Sequence, residues 1–173
     1  VEELFADLGT VVEGRAMEDD ATVLFRYRGG ARGVLMASQI SAGERNHLRL
    51  RVYGSGGGLD WAQERPDELR LLAPTGDATV LYRGSDALSE RAKAHTRLPG
   101  GHPEGFIEAF ANIYRNVADS LRTRAGAASA PFADDYPTVQ DGARGVHFIH
   151  AAVRSGRDDA WVSGIYDPPG DPA

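Results

Sequence analysis

Apolar and polar residues alternate at period two through the first half of the chain. Ala21, Val23, Phe25 and Tyr27 interleave with Thr22, Leu24, Arg26 and Arg28, the pattern of a half-buried strand. Gly29-Gly30 then predicts a tight turn of positive φ leading into a strand within 31–41. Leu48, Leu50 and Val52, set between His47, Arg49, Arg51 and Tyr53, predict a third strand. Others are expected around Leu59–Trp61, Leu69–Leu71 and Ala78–Tyr82, and one more within Val1–Val12. Such short connections make an antiparallel meander the natural topology.

The period changes after His102-Pro-Glu-Gly105. Phe106, Phe110, Ile113, Val117 and Leu121 then fall on one stripe of a helix. Pro103 is expected in its first turn, with Glu104 at the positive end of the helix dipole, and Gly126 as the stop past Arg122 and Arg124. After a loop through 131–137, Thr138-Val-Gln-Asp141 reads as a capping box. It opens a second helix whose stripe is Val139, Ala143, Val146, Ile149 and Val153. Residues 158–162 return as a short strand or pack as a tail. The expected fold is α+β: an open-faced, mainly antiparallel sheet of about six strands, covered on one face by the helices. Residues 1–162 are expected to form a single domain and 163–173 a flexible tail, frayed through its Pro- and Asp-rich end.

Four clusters invite a chemical reading. Gly54-Ser-Gly-Gly-Gly58 follows a strand, but a phosphate-cradling loop needs a helix directly after it, and Leu59-Asp-Trp61 reads as strand. That cluster is a turn. His147 and His150 stand three apart on a helix without a helically spaced carboxylate, so packing is the better reading and no metal site is expected. Arg26, Arg28, Arg49 and Arg51 should project from one sheet face, as a solvated surface paired with residues such as Glu68 or Glu44, or as a subunit contact. His102-Pro-Glu-Gly105 joins an imidazole to a helix start, a place suited to a polar ligand group, with a well-made helix start as the plainer alternative. No Gly-x-Ser-x-Gly elbow surrounds Ser38, Ser41, Ser55 or Ser89.

Composition narrows the classes. The net charge of −6 and pI near 5.3 argue against nucleic acid as the partner. No apolar run approaches the roughly 18 residues of a membrane helix. The absence of cysteine among the 173 residues removes disulfides, thiolate catalysis and cysteine-held zinc, and fits a cytoplasmic protein. The chain opens on Val1 and carries no cofactor fingerprint, which leads us to expect part of a larger enzyme.

An ordered set of motifs carries a resemblance. Thr22-Val-Leu-Phe-Arg26, Gly33-Val-Leu-Met-Ala-Ser-Gln39, Arg51-Val-Tyr-Gly54, Gly58-Leu-Asp-Trp61, His102-Pro-Glu-Gly105 with Glu108-Ala-Phe110, and Pro137-Thr-Val-Gln-Asp-Gly142 occur in that order. Together they resemble the C-terminal domain of the Gfo/Idh/MocA oxidoreductases, the glucose–fructose oxidoreductase and inositol dehydrogenase group, from Val1 to about Val162. The resemblance implies a parent enzyme with an N-terminal Rossmann domain holding NAD or NADP, and a homo-oligomer formed through the open sheet face, where Arg26, Arg28, Arg49 and Arg51 would lie. It implies a sugar or polyol substrate contacted by His102 and Glu104. The family's catalytic Lys, in Glu-Lys-Pro, and its Asp-x-x-x-His pair match nothing here and are expected upstream of Val1; Asp86 and His95 lack that spacing. This chain alone would then bind no cofactor and be inactive. The alternative is a stand-alone small-ligand-binding or dimerisation module.

Overall fold

The computed structural model describes residues 1–168, so the end of the predicted tail lies outside the described residues. These residues divide into two compact units, one built from Val1–Gly43 with the chain from Pro137 onward, the other from Glu44–Tyr136.

In the first unit β1 (Glu3–Gly9), β2 (Asp20–Arg26), β3 (Arg32–Ser38) and the two-residue β8 (Val162–Ser163) make an antiparallel sheet in the order β3-β2-β1-β8. Register places Ala6 opposite Val23 and Leu4 opposite Phe25. Leu4, Ala6 and Val23 are buried, while Leu24 and Val34 face outward. The alternation read from sequence therefore assigns the faces correctly. Gly29 and Gly30 take φ of 88° and 90° in the β2–β3 turn, which only glycine adopts without strain. Gly33 is required for another reason: the Phe25 ring lies across it, where a Cβ would sit 2.2 Å from the ring edge.

Helix α3 (Val139–Asp158) covers the inner face of this sheet. It starts as expected, with Thr138 as N-cap and the Asp141 carboxylate accepting from the Thr138 N–H at 2.9 Å. Its orientation differs from the expectation. Phe148, Ala151, Ala152 and Ser155 pack inward, and the aliphatic stripe Val139, Val146, Ile149 and Val153 is exposed. The small residues let the helix approach the strand closely. Buried Ser155 accepts from the Ala6 N–H at 2.9 Å and donates to the Ala160 carbonyl at 2.6 Å.

In the second unit β4 (Arg49–Gly54), β5 (Gly57–Ala62), β6 (Glu68–Leu72) and β7 (Ala78–Tyr82) form an antiparallel meander. The glycine cluster is its first hairpin, with Gly54 paired to Gly57, as its sequence implies. The expected α+β, antiparallel class holds, with eight strands in two sheets rather than about six in one. The ladder stops between β3 and β4, where Gly43 and His47 take positive φ in the connecting loop.

Two helices complete this unit. Short α1 (Glu90–Ala94), capped by the Ser89 hydroxyl on the Ala92 N–H at 3.3 Å, escaped the periodicity because it spans little more than one turn. Helix α2 (Phe106–Arg124) begins later than expected: Gly105 is its N-cap, and Pro103 and Glu104 precede it. Its expected stripe is only partly inward, with Ile113 and Val117 half-buried. Asn112 and Asn116 are buried, while Phe106, Phe110 and Leu121 are exposed.

Ser155→Ala leaves the Ala6 N–H buried without a partner, and should cost about 1–3 kcal/mol. Ile149→Ser, on the exposed face, should stay within about 0.5 kcal/mol. Urea midpoints at constant m-value check both.

Candidate functional site

The polar centre of the second unit is built on Arg83, just past β7. Its guanidinium donates to Asp67 Oδ1 at 2.6 Å, Glu104 Oε1 at 2.9 Å, the Leu98 carbonyl at 2.9 Å and the His102 carbonyl. Glu104 is buried. Its Oε1 also accepts from the Arg97 N–H at 2.7 Å and from the Leu98 N–H. One carboxylate and one guanidinium thus clamp the whole 97–104 loop. A buried pair of this kind needs its remaining donors and acceptors engaged, and here the loop backbone supplies them.

Helix α2 contributes the adjoining layer. Asn112 donates to the His95 carbonyl at 2.6 Å and accepts from Arg97 Nε at 3.0 Å. Asn116 donates to the Asp135 carbonyl at 2.9 Å and approaches His95 Nε2 at 3.0 Å. His95 Nδ1 faces the Arg91 carbonyl at 2.8 Å. A carbonyl only accepts, so the proton is assigned to Nδ1, which leaves Nε2 to accept from Asn116. These bonds explain why α2 turns its polar side inward. At its start Glu108 accepts from the Gly105 N–H at 2.8 Å, and that bond holds the Glu108 carboxyl below its ordinary pKa.

Beside this layer lies an open cleft of about 280 Å³, lined by Trp61, Leu69, Leu81, Leu88, Ala92 and His95 among others. Its polar groups are already engaged: Trp61 Nε1 donates to the Pro66 carbonyl at 3.2 Å, and His95 is bonded as above. The exception near the clamp is His102, whose backbone Arg83 fixes while the residue itself is exposed.

Each predicted residue can now be placed. Glu104 is the clamp's acceptor rather than an open ligand group, and His102 is presented on the loop that Glu104 secures. Arg26 is on the outer face of the first unit's sheet, paired with Glu3 at 2.5 Å and lying 4.2 Å from the Trp161 ring centroid. Arg28 lies in the β2–β3 turn and not on a strand. Arg49 and Arg51 are on β4 in the second unit. Arg49 grips buried Asp60 with two bonds of 2.8 and 2.6 Å, and Arg51 is opposite Asp60 in register. The expected partners differ: Glu44 pairs with His47 and Glu68 with Arg65. His150 is exposed, and His147 Nε2 is buried beside Tyr166 without a hydrogen-bond partner among the described residues.

The sequence reasoning missed Arg83, Arg97, Asn112 and Asn116. Their one available signal was a pair of amides four apart on a helix otherwise rich in large apolar residues.

Comparison with known proteins identifies the setting. Residues 1–60 match the family described as GFO/IDH/MocA C-terminal domain. The uncharacterized oxidoreductase YfiI of Bacillus subtilis (strain 168) is 33% identical over 166 residues, covering 94% of this chain and 42% of that protein. The chain belongs to the GFO/IDH/MocA C-terminal domain family. An oxidoreductase structure from Sinorhizobium meliloti is 40% identical with a TM-score of 0.86, over 93% of this chain and 46% of that one. An inositol dehydrogenase homolog from Azotobacter vinelandii, complexed with NADH and myo-inositol, is 30% identical with a TM-score of 0.84, over 94% and 44%. The chain of this family member thus spans less than half the length of these relatives. The glycine run 54–58 leads into a strand, so it does not fit the pyrophosphate of a dinucleotide. No helix among the described residues is long and apolar enough to cross a membrane.

Two outcomes test this electrostatic reading. Glu104→Ala should cost about 1–3 kcal/mol, because the Arg97 and Leu98 N–H groups lose their acceptor while Arg83 keeps Asp67, and hydrogen exchange should show those two amides losing protection. Arg49 hydrogen bonding holds the Asp60 carboxyl below its ordinary value of 3.8. The stabilisation is therefore present above pH 3.8 and is lost as pH falls through the lower folded-state value. Asp60→Asn should flatten that acid limb in a pH series of unfolding midpoints.

Proposed function

We propose that this chain is the substrate-binding and oligomerisation domain of an NAD(P)-dependent oxidoreductase acting on a sugar or polyol hydroxyl or carbonyl. The observation that carries the reading is the likeness, along 94% of the chain, to the Azotobacter vinelandii inositol dehydrogenase homolog complexed with NADH and myo-inositol. The parent would hold NAD or NADP in an N-terminal Rossmann domain in the cytoplasm. Hydride transfer would be the cofactor's contribution. The proton would be handled by the Lys and the Asp-x-x-x-His pair of the upstream segment, so residues 1–173 alone would turn over nothing.

In this reading the present residues supply shape. Glu104 and Arg83 hold the 97–104 loop, and the His102 ring gives the substrate a polar contact at a fixed backbone position. Positioning of this kind raises rate by holding reacting atoms in register. The sheet faces bearing Arg26, with Arg28 at its turn, and Arg49 with Arg51 would meet other copies of the enzyme. Exposed Leu50 and Val52 on the opposite face of β4 support a role for this sheet in contacts beyond the chain.

The source gene upstream of Val1 is the first test. A strand–Gly-x-Gly-x-x-Gly–helix unit followed by Glu-Lys-Pro and Asp-x-x-x-His is expected, and its absence would return the chain to a stand-alone binding module. In the parent, His102→Ala should raise KM for the polyol by up to about tenfold, the worth of one hydrogen bond, with a smaller change in kcat. An unchanged KM would remove His102 from the substrate wall.

A further inference from the structure

We propose that His47, oriented by Glu44, is a second side chain in contact with the polyol, its Nε2 accepting a hydrogen bond from a substrate hydroxyl away from the reacting carbon. This contact rests on the function proposed above and adds to His102 a residue of the β3–β4 connection.

His47 stands just before β4 with φ of 46°. A histidine in that conformation is strained and persists only where its surroundings fix it. The fixing contacts are present. Its N–H donates to Glu64 Oε1 at 2.8 Å, Asn46 Nδ2 donates to Gln63 Oε1 at 3.2 Å, and the Gln63 N–H donates to the Leu48 carbonyl at 2.9 Å. The ring is held as well, with Nδ1 2.6 Å from Glu44 Oε2. A carboxylate only accepts, so the proton between them is assigned to Nδ1, and Nε2 is the atom left to accept. The side chain is 51% exposed, within reach of a ligand. An exposed pair of this kind adds little stability, so stability does not account for the strained backbone. A carboxylate on one ring nitrogen, with the other held ready, is how an imidazole is set for binding.

The turn at 63–67 joins this imidazole to His102. One end of the turn carries Gln63 and Glu64, which hold the His47 segment. At the other end Asp67 accepts from Arg83 Nε at 2.6 Å, and Arg83 fixes the His102 carbonyl. Between them Pro66 borders Gly105, 3.9 Å from where a Cβ would stand. One short segment therefore sets the position of both histidines. A polyol, with hydroxyls on several carbons, is the class of substrate that has a donor for each.

Steady-state kinetics of the full-length parent test this, with D-glucose, D-sorbitol and myo-inositol as probes. Asparagine tolerates positive φ, so His47→Asn removes the ring and keeps the backbone. It should raise KM for the oxidised probe about tenfold, the worth of one hydrogen bond, and change kcat less. KM for the cofactor and the urea midpoint should stay where they are. His47→Gly, which relieves the strain instead, should give the same KM. Glu44→Ala should raise the polyol KM by a comparable factor and Glu44→Gln, which keeps an acceptor, by less. Because Glu44 acts through the ring, Glu44→Ala should add nothing in the His47→Asn background. An unchanged polyol KM in His47→Asn and His47→Gly would overturn the proposal. A parallel rise in the cofactor KM would also overturn it, by making His47 a structural residue. If His102→Ala moves the polyol KM and His47→Asn does not, this inference falls alone. A parent that oxidises none of the probes brings down the function proposed above and this inference with it.

Discussion

Helix α3 lies so close to β1 that only small residues fit between them, and the organisation of the first unit follows from that approach. Ala151 and Ala152 bring the helix onto Leu4, Ala6 and Val23. Ser155, with no exposed surface, bonds the strand through Ala6 and the helix end through Ala160. At this separation a Cβ on Gly156 would stand 3.0 Å from the Leu8 side chain. Larger aliphatic side chains on the same face would hold the layers apart, at the cost of the Ser155 bond and of packing density. They point outward instead.

The second unit reaches a similar outcome by a different force. Its α2 turns Asn112 and Asn116 inward, where they donate to the His95 carbonyl at the end of α1 and to the Asp135 carbonyl, groups that need donors. The Arg83–Glu104 pair then ties the 97–104 loop to the strand end. In α3 the aliphatic stripe points outward because small residues are required beneath it, and in α2 Phe106, Phe110 and Leu121 are exposed while Asn112 and Asn116 are buried.

The Arg83–Glu104 clamp offers a hydrogen-bonded loop and one exposed imidazole, His102, on it. These are means of holding and shaping, the part that the proposed function gives to this chain.

Much of the local structure was legible in the chain. Period-two alternation marked β2 and its faces, Gly29-Gly30 and the 54–58 cluster marked turns, and Thr138 with Asp141 marked the start of α3. The motifs also carried the family. Periodicity shows which residues share a helix face, but not which face meets the sheet. That choice was decided by contacts between residues far apart in sequence, such as Ala6 with Ser155 and Arg83 with Glu104. The clamp was hidden for the same reason, since its members are ordinary polar residues until the fold brings them together. The sequence by itself determined the elements, their caps and their lineage. Tertiary structure alone decided which helix faces were buried, because burial of a polar side chain depends on whether a distant backbone group is there to bond it.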